Sequence, residues 1–129
     1  MERPRLLLID DEPALADFLA AAARECGYEA SVARNEAEFR QGFADARPDM
    51  VALDLGMPGT DGVEFLRFLA GESYCGPVLI ISGFDRRVLE SAFRLGEALG
   101  LRMAGPVENP ARFEELAVLL NDLKPSLAK

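Results

Sequence analysis

The chain has 129 residues, a length typical of one domain, predicted here to span 1–129. Half of the residues are hydrophobic, which is enough for a packed core, and the net charge of −8 argues against direct nucleic-acid binding through a basic surface. Histidine is absent, which excludes Ser-His and Cys-His catalysis and zinc binding by histidine. Cys26 and Cys75 show no metal-binding spacing and indicate reduced thiols in a cytoplasmic protein. No signal peptide or membrane-spanning stretch is predicted.

Three continuous apolar runs predict strands that are buried on both faces of a sheet. They cover 6–9, 50–53 and 78–81, and they end at Asp10, Asp54 and Ser82. A weaker run at 30–33 predicts an edge strand. A fifth strand is predicted over 101–104, and Gly105-Pro106 is expected to end it.

Helical spacing separates these strands. The first helix should close at Gly27, and the second should begin at Asn35 with Glu38 in the capping-box position. A third helix is predicted over 63–69, a fourth over about 88–99 and a fifth from near Pro110. Five successive strand-helix units predict an α/β fold, a doubly wound five-stranded parallel sheet with helices on both faces. The stripe expected to face the sheet from the fourth helix consists of Val88, Ala92, Leu95 and Leu99.

Polar residues gather at the carboxyl ends of the predicted strands. Asp10 and Asp11 end strand one, Asp54 ends strand three and Ser82 ends strand four. If strands one and three are neighbours, the three carboxylates share one pocket and repel one another unless a cation lies between them. Oxygen ligands without nitrogen or sulfur favour Mg²⁺. A carboxylate beside Mg²⁺ can attack phosphorus, and a serine hydroxyl can donate to a phosphoryl oxygen.

Each of these residues also has a simpler interpretation. The acid pair at Asp10 and Asp11 can serve as helix capping, and Ser82 can cap a turn. The occurrence of all of them at three strand ends, in this order along the chain, favours a common site.

Three motifs resemble those of response-regulator receiver domains: LLIDDEP at 7–13, DLGMPGTDG at 54–62 and IISG at 80–83. The resemblance covers essentially the whole chain, and the second motif is highly specific. It implies a flavodoxin-like sheet with strand order 2-1-3-4-5, as in chemotaxis receivers.

The resemblance also implies a role for each site residue. Asp54 would be the phosphoacceptor, and Asp11, Asp54 and the Gly56 carbonyl would bind Mg²⁺ directly. Asp10 would act through water, and Ser82 would be the switch hydroxyl. The phosphoryl donor would be a phosphohistidine on a sensor histidine kinase or a phosphotransfer protein.

The fifth strand departs from the family pattern. Receivers end this strand with a lysine before a proline, and the matching pair here is predicted to be Gly105-Pro106. Met103 stands where the family has an aromatic switch residue. Arg86 or Arg87 can replace the missing cation, but the favoured interpretation of both is a solvated first turn of helix four.

The leading hypothesis is a two-component receiver, not a dedicated enzyme, that accepts a phosphoryl group on Asp54 and switches atypically. The alternative is a degenerate receiver that binds proteins without being phosphorylated. A phosphohydrolase with an aspartyl nucleophile is disfavoured, because Gly56 stands where such enzymes carry a second aspartate.

Signalling is expected to pass through helix four, strand five and helix five. Leu89 and Phe93 are predicted to point outward there and to contact a downstream protein, a fused output domain or a second copy in a homodimer.

Overall fold

The computed structural model describes residues 3–10, 12–54, 62–82, 86–108 and 113–123. In these ranges, no helix is both long enough and apolar enough to cross a bilayer. Strands and helices alternate as β1 (Arg5–Ile9), α1 (Pro13–Glu25), β2 (Glu29–Ala33), α2 (Glu36–Asp45), β3 (Met50–Asp54), α3 (Gly62–Gly71), β4 (Pro77–Ser82), α4 (Arg86–Ala98), β5 (Arg102–Glu108) and α5 (Phe113–Leu123).

The strands form one parallel sheet in the order β2-β1-β3-β4-β5, which confirms the predicted fold class and the strand order that the resemblance implied. Successive side chains of a strand point to opposite faces, and the core is divided accordingly. Leu6 and Leu8 pack with α1 and α5, whereas Leu7 and Ile9 pack with α2, α3 and α4. Both faces of the sheet are therefore buried, which explains why its strands are continuous apolar runs.

Two predicted helix ends are confirmed. Gly27 follows the first helix with a φ of 88°, a conformation that glycine adopts without strain. Asn35 caps α2, since its Oδ1 accepts a hydrogen bond of 2.9 Å from the Glu38 amide. The Glu38 carboxylate reaches back one residue further than a capping box requires, and accepts from the amide of Arg34 at 3.0 Å.

The predicted end of the fifth strand is wrong. β5 continues through Gly105-Pro106 to Glu108. Leu79 pairs with Ala104 and Ile81 pairs with Val107, so β5 carries one more residue than β4 over this stretch, which makes a β-bulge. Gly105 has a φ of 89°, which a bulge tolerates, and proline is tolerated at bulges and on edge strands such as β5. The Gly-Pro pair therefore bends the strand without ending it.

The bulge keeps β5 in phase with its neighbour. Leu79, Ile81 and Ala104 all belong to the core layer beneath α1 and α5, and Val107 packs against the same layer. Without the extra residue, counting alternately from Ala104 would place Val107 on the opposite face.

The predicted inward face of α4 is also partly wrong. Leu89 was expected to point outward but is only 2% exposed, and Phe93 is half-buried against the core beneath α2 and α3. Leu99 was expected to face the sheet but is 37% exposed. Of the predicted stripe, Ala92 is buried and Leu95 is half-buried against the same core, while the Val88 side chain lies outside the described part of the chain. The inward face also includes Leu89, Phe93 and Gly96.

Candidate functional site

Asp10 and Asp54 lie side by side at the carboxyl edge of the sheet. Ile9 pairs with Leu53 across β1 and β3, so the two aspartates each come one residue later at the same level. Neighbouring strands lie about 4.8 Å apart, which makes their backbones adjacent. Asp54 pairs in turn with Ile81, and Ser82 follows directly in β4. The structure thus brings together three of the predicted positions on three neighbouring strands.

Asp10 is the buried member of this group, with 1% exposure. Its Oδ1 accepts a hydrogen bond of 2.9 Å from the Glu12 amide, which holds the turn between β1 and α1. The N-cap of α1 is Glu12, whose side chain makes no cap bond. The capping interpretation of Asp11 lies outside the described residues. A buried carboxylate is unfavourable unless its charge is compensated, and a divalent cation is one group that can do so.

Asp54 is the accessible member of the group. It is half-buried, whereas the four residues that precede it in β3 are fully buried. β3 therefore runs through the core and ends with the Asp54 carboxylate at the boundary with solvent. A reactant that arrives from outside would meet Asp54, because the Asp10 side chain is buried.

The remaining predicted ligands lie outside the described residues. These are Asp11 and Gly56, while for Ser82 the structure describes the backbone but not the side chain. Within the described ranges, no group of three or more acidic or cysteine side chains could hold a metal ion. Asp10 and Asp54 supply only oxygen donors, and that chemistry fits Mg²⁺. The magnesium site itself stays a prediction.

The end of β5 beside this site is an acidic residue. Glu108 pairs with Ser82, and in the sequence it is followed by Asn109-Pro110. Gly105 lies between the levels of Leu79 and Ile81, about 7 Å short of that edge at the usual rise per residue. The identification of Gly105 with the family's lysine stays a prediction, and the register weighs against it. The second X-Pro pair was the sequence signal for the true end of the strand.

Met103 connects β5 to α4. A Cβ placed on Gly96 would lie 2.2 Å from the Met103 Sδ and 2.7 Å from its Cε, so the methionine side chain lies directly across the glycine. Glycine inside a helix is unfavourable without a packing reason, and this contact supplies one. Sequence reasoning missed Gly96, although its position inside a helix was the available signal.

The chain is similar to receiver domains along most of its length. Residues 6–120 match the family described as response regulator receiver domain. A DNA-binding response regulator, MtrA of Mycolicibacterium smegmatis, is 32% identical over 83 residues, which cover 64% of this chain and 36% of that protein. The chain thus spans about a third of the length of the curated relatives it matches.

Solved structures show the same fold. A response regulator from Colwellia psychrerythraea is 27% identical, with a TM-score of 0.77 over 97% of this chain and 99% of that one. The chemotaxis protein CheY4 of Vibrio cholerae is 22% identical and has a TM-score of 0.80 over 95% of this chain and 99% of that one. The second likeness supports the architecture alone.

Proposed function

The chain belongs to the response regulator receiver domain family, which acts in two-component signal transduction, and on that premise we propose that Asp54 accepts a phosphoryl group from a phosphohistidine. The observation that carries the proposal is the placement of one buried and one accessible carboxylate at the same level of two central strands. The carboxyl edge of an open parallel sheet is where such folds bind their ligands.

The chemistry assigned to Asp54 is nucleophilic substitution at phosphorus. A carboxylate oxygen forms the new O–P bond while the P–N bond to the donor histidine breaks, and the imidazole nitrogen keeps that electron pair. Mg²⁺, held by Asp11, Asp54 and the Gly56 carbonyl with Asp10 acting through water, would neutralise charge on the phosphoryl oxygens. The Ser82 hydroxyl would donate a hydrogen bond to one of these oxygens.

Membership of the receiver family indicates which proteins would exchange the phosphoryl group with this chain. The donor is a sensor histidine kinase or a phosphotransfer protein, and the chain is not itself a dedicated enzyme. Because the matched relatives are about three times longer, the output belongs to a fused domain or a separate protein. With a net charge of −8, this chain is unsuited to contact DNA itself. Cys26 is buried and Cys75 is exposed, and both are free thiols, as a cytoplasmic location favours. We also propose that the chain forms one domain over 1–129.

The response to phosphorylation is proposed to be atypical. The support is the sequence of β5, which carries neither a lysine nor an aromatic residue, so in any register this strand lacks both side chains that the resemblance gives to the switch. A homodimer is proposed through α4, β5 and α5. The large hydrophobic residues that are exposed in the described part of the chain, Leu99 and Val118, lie just after α4 and on α5.

Intact mass spectrometry tests the phosphoacceptor. The protein is incubated with Mg²⁺ and a small phosphoryl donor, and we expect a gain of one phosphoryl group. Asp54→Asn should abolish this gain, while Asp17→Asn, an exposed aspartate on α1, should leave it unchanged. An unmodified protein under these conditions would overturn the proposal and favour the phosphorylation-independent interaction module.

The metal is tested separately by NMR. Titrated Mg²⁺ should shift the amide signals of Asp10 and Asp54, and the shift should be lost when Asp10 is changed to Asn. Unmoved signals at both residues would contradict the magnesium site, even if phosphorylation occurs.

A further inference from the structure

The corner between α1 and β2 brings two side chains to α5. α1 ends in a Schellman motif, in which the Gly27 amide donates to the Arg24 carbonyl at 3.0 Å. The Tyr28 amide completes the motif by donating to the Ala23 carbonyl at 2.9 Å. Gly27 has the positive φ that this motif requires, and the backbones of its two neighbours, Cys26 and Tyr28, are thereby fixed at the end of α1.

Both neighbours of Gly27 donate a hydrogen bond to the main chain of α5. The Tyr28 hydroxyl donates to the Leu120 carbonyl at 2.7 Å. The Cys26 thiol donates more weakly to the Ala117 carbonyl, with an Sγ–O distance of 3.9 Å. The two acceptors are three residues apart, so they lie on one face of the helix. These two hydrogen bonds, here named the α5 clasp, join the end of the first helix to the last helix.

Tyr28 is the stronger half of the α5 clasp. Its side chain is fully buried, and Leu120 is only 3% exposed. α5 ends at Leu123, and the last four carbonyls of a helix, here from Leu120 onward, have no amide donor within it. The phenol therefore supplies Leu120 with a hydrogen bond that α5 itself does not, and the loss of such a bond from a buried site is unfavourable.

α5 has few other attachments in the described part of the chain. It pairs with no strand, and its backbone lies close chiefly to that of α1. Of the α5 side chains that the structure describes, Leu116 and Leu120 are buried, whereas Val118 is largely exposed. An element with little buried surface can open locally while the rest of the domain stays folded.

From these contacts we infer that α5 is released from the domain as a separate unit, and that Tyr28 is the positioning residue that keeps it docked. The α5 clasp is independent of the phosphoryl-accepting edge, because Tyr28 precedes β2 at the amino end of the sheet, whereas Asp54 ends β3. One consequence rests on the proposed function. Docked α5 presents Val118 at the surface, so the α5 clasp and a second copy bound through α5 stabilise the same state of the helix.

Hydrogen exchange followed by NMR tests this inference, under conditions in which exchange reports the opening equilibrium. In the unaltered protein, the amides of 117–123 should exchange faster than those of β1 and β3, which require the whole domain to open. Tyr28→Phe keeps the ring but removes the hydroxyl. It should accelerate exchange over 117–123 by about tenfold, as the loss of one buried hydrogen bond predicts.

A matched control removes a similar hydrogen bond elsewhere. The buried Tyr74 donates its hydroxyl hydrogen to the Pro48 carbonyl at 3.0 Å, in the core layer on the other face of the sheet. That bond is kept when α5 alone opens, so Tyr74→Phe should accelerate exchange in β1 and β3 but not over 117–123. If Tyr28→Phe does not fold, Cys26→Ala removes the weaker donor and should accelerate 117–123 by a smaller factor.

Several results would overturn the inference. Equal exchange of 117–123 and of β1 and β3 in the unaltered protein would mean that α5 opens only with the whole domain. Equal acceleration of 117–123 by Tyr28→Phe and Tyr74→Phe, or none by either clasp variant, would remove the role of Tyr28.

Protein concentration separates the α5 clasp from the dimer. If α5 forms the dimer, a higher concentration should slow exchange over 117–123, and Val118→Asp should abolish this slowing. A rate that does not depend on concentration would contradict the dimer and leave the α5 clasp in place.

Discussion

A lysine introduced at Gly105 tests where β5 meets the phosphoryl-accepting edge. At a φ of 89°, an L residue costs roughly 1–2 kcal/mol more than glycine. A Cβ there would lie 3.0 Å from the Leu79 Cδ1 and 3.1 Å from the Val107 amide nitrogen. The leucine methyl can move aside, but the backbone nitrogen cannot. We therefore expect Gly105→Lys to lower the free energy of unfolding by about 2–3 kcal/mol.

A matched control separates backbone strain from crowding. Gly100 has a nearly equal φ of 86°, and a Cβ on it would meet no atom within 4 Å. Gly100→Lys should therefore show the conformational cost alone, about 1–2 kcal/mol. The difference between the two variants measures the contact with Leu79 and Val107.

The same variants report on function. Because Gly105 lies short of the edge, Gly105→Lys should leave the lifetime of the acyl phosphate on Asp54 unchanged. Glu108→Lys introduces a cation at the level of Ser82, where it should lengthen that lifetime by stabilising the phosphoryl oxygens.

Urea unfolding followed by circular dichroism gives the stabilities, and intact mass against time after removal of the donor gives the lifetimes. The midpoint for Gly105→Lys should fall by roughly 1 M, given the usual dependence on denaturant. A Gly105→Lys protein that is as stable as Gly100→Lys and holds its phosphoryl group longer would refute this account of β5. It would restore Gly105 to the position of the family's lysine.

Four further substitutions test the packing, the titration of a buried tyrosine and self-association. Gly96→Ala should displace the Met103 side chain, shift its methyl NMR signal and cost about 1–3 kcal/mol; an unmoved methyl would contradict the contact. Burial, followed by the charge of Cys26, raises the pKa of Tyr28 from 10.0 to about 12. The neutral phenol is favoured in the folded state, so its contribution to stability is complete below pH 10 and is lost as the pH rises towards 12. Tyr28→Phe should make the fall in urea midpoint over that range shallower, and an equally steep fall would count against it. Phe93→Asp should lower stability by about 1–3 kcal/mol because Phe93 packs against the core, so it is a poor probe of association. Val118→Asp, at a site 61% exposed, should change stability by less than about 0.5 kcal/mol and weaken self-association in sedimentation if α5 forms the dimer.

The sequence was most informative where strands are buried on both faces. β1, β3 and β4 are continuous apolar runs, and the polar residue that ends each run is one of the proposed site residues. A boundary between apolar and polar residues therefore located Asp10, Asp54 and Ser82 along the chain. Their arrangement side by side required the strand order, which the family resemblance implied and the structure confirms.

The two errors arose where local pattern is ambiguous. Gly105-Pro106 has the composition of a turn, and only the pairing of β5 with β4 shows that the strand continues. In α4, the predicted stripe begins at Val88 and the observed face begins at Leu89. Both have helical spacing, and both contain Ala92. The observed face includes Gly96, against which the Met103 side chain of β5 packs, and that contact cannot be recognised from the helix sequence alone.

The bulge in β5 also determines which residues of this strand are equivalent to those of related domains that lack the extra residue. Deletion of Gly105 would restore a regular ladder in which Val107 still faces Ile81 and Glu108 still faces Ser82. The extra residue thus acts as an insertion that the edge strand absorbs before it reaches the carboxyl end. A lineage of such domains could gain or lose this residue without moving its functional edge, and equivalent positions in β5 are found by counting from the partner of Ser82, not from the start of the strand.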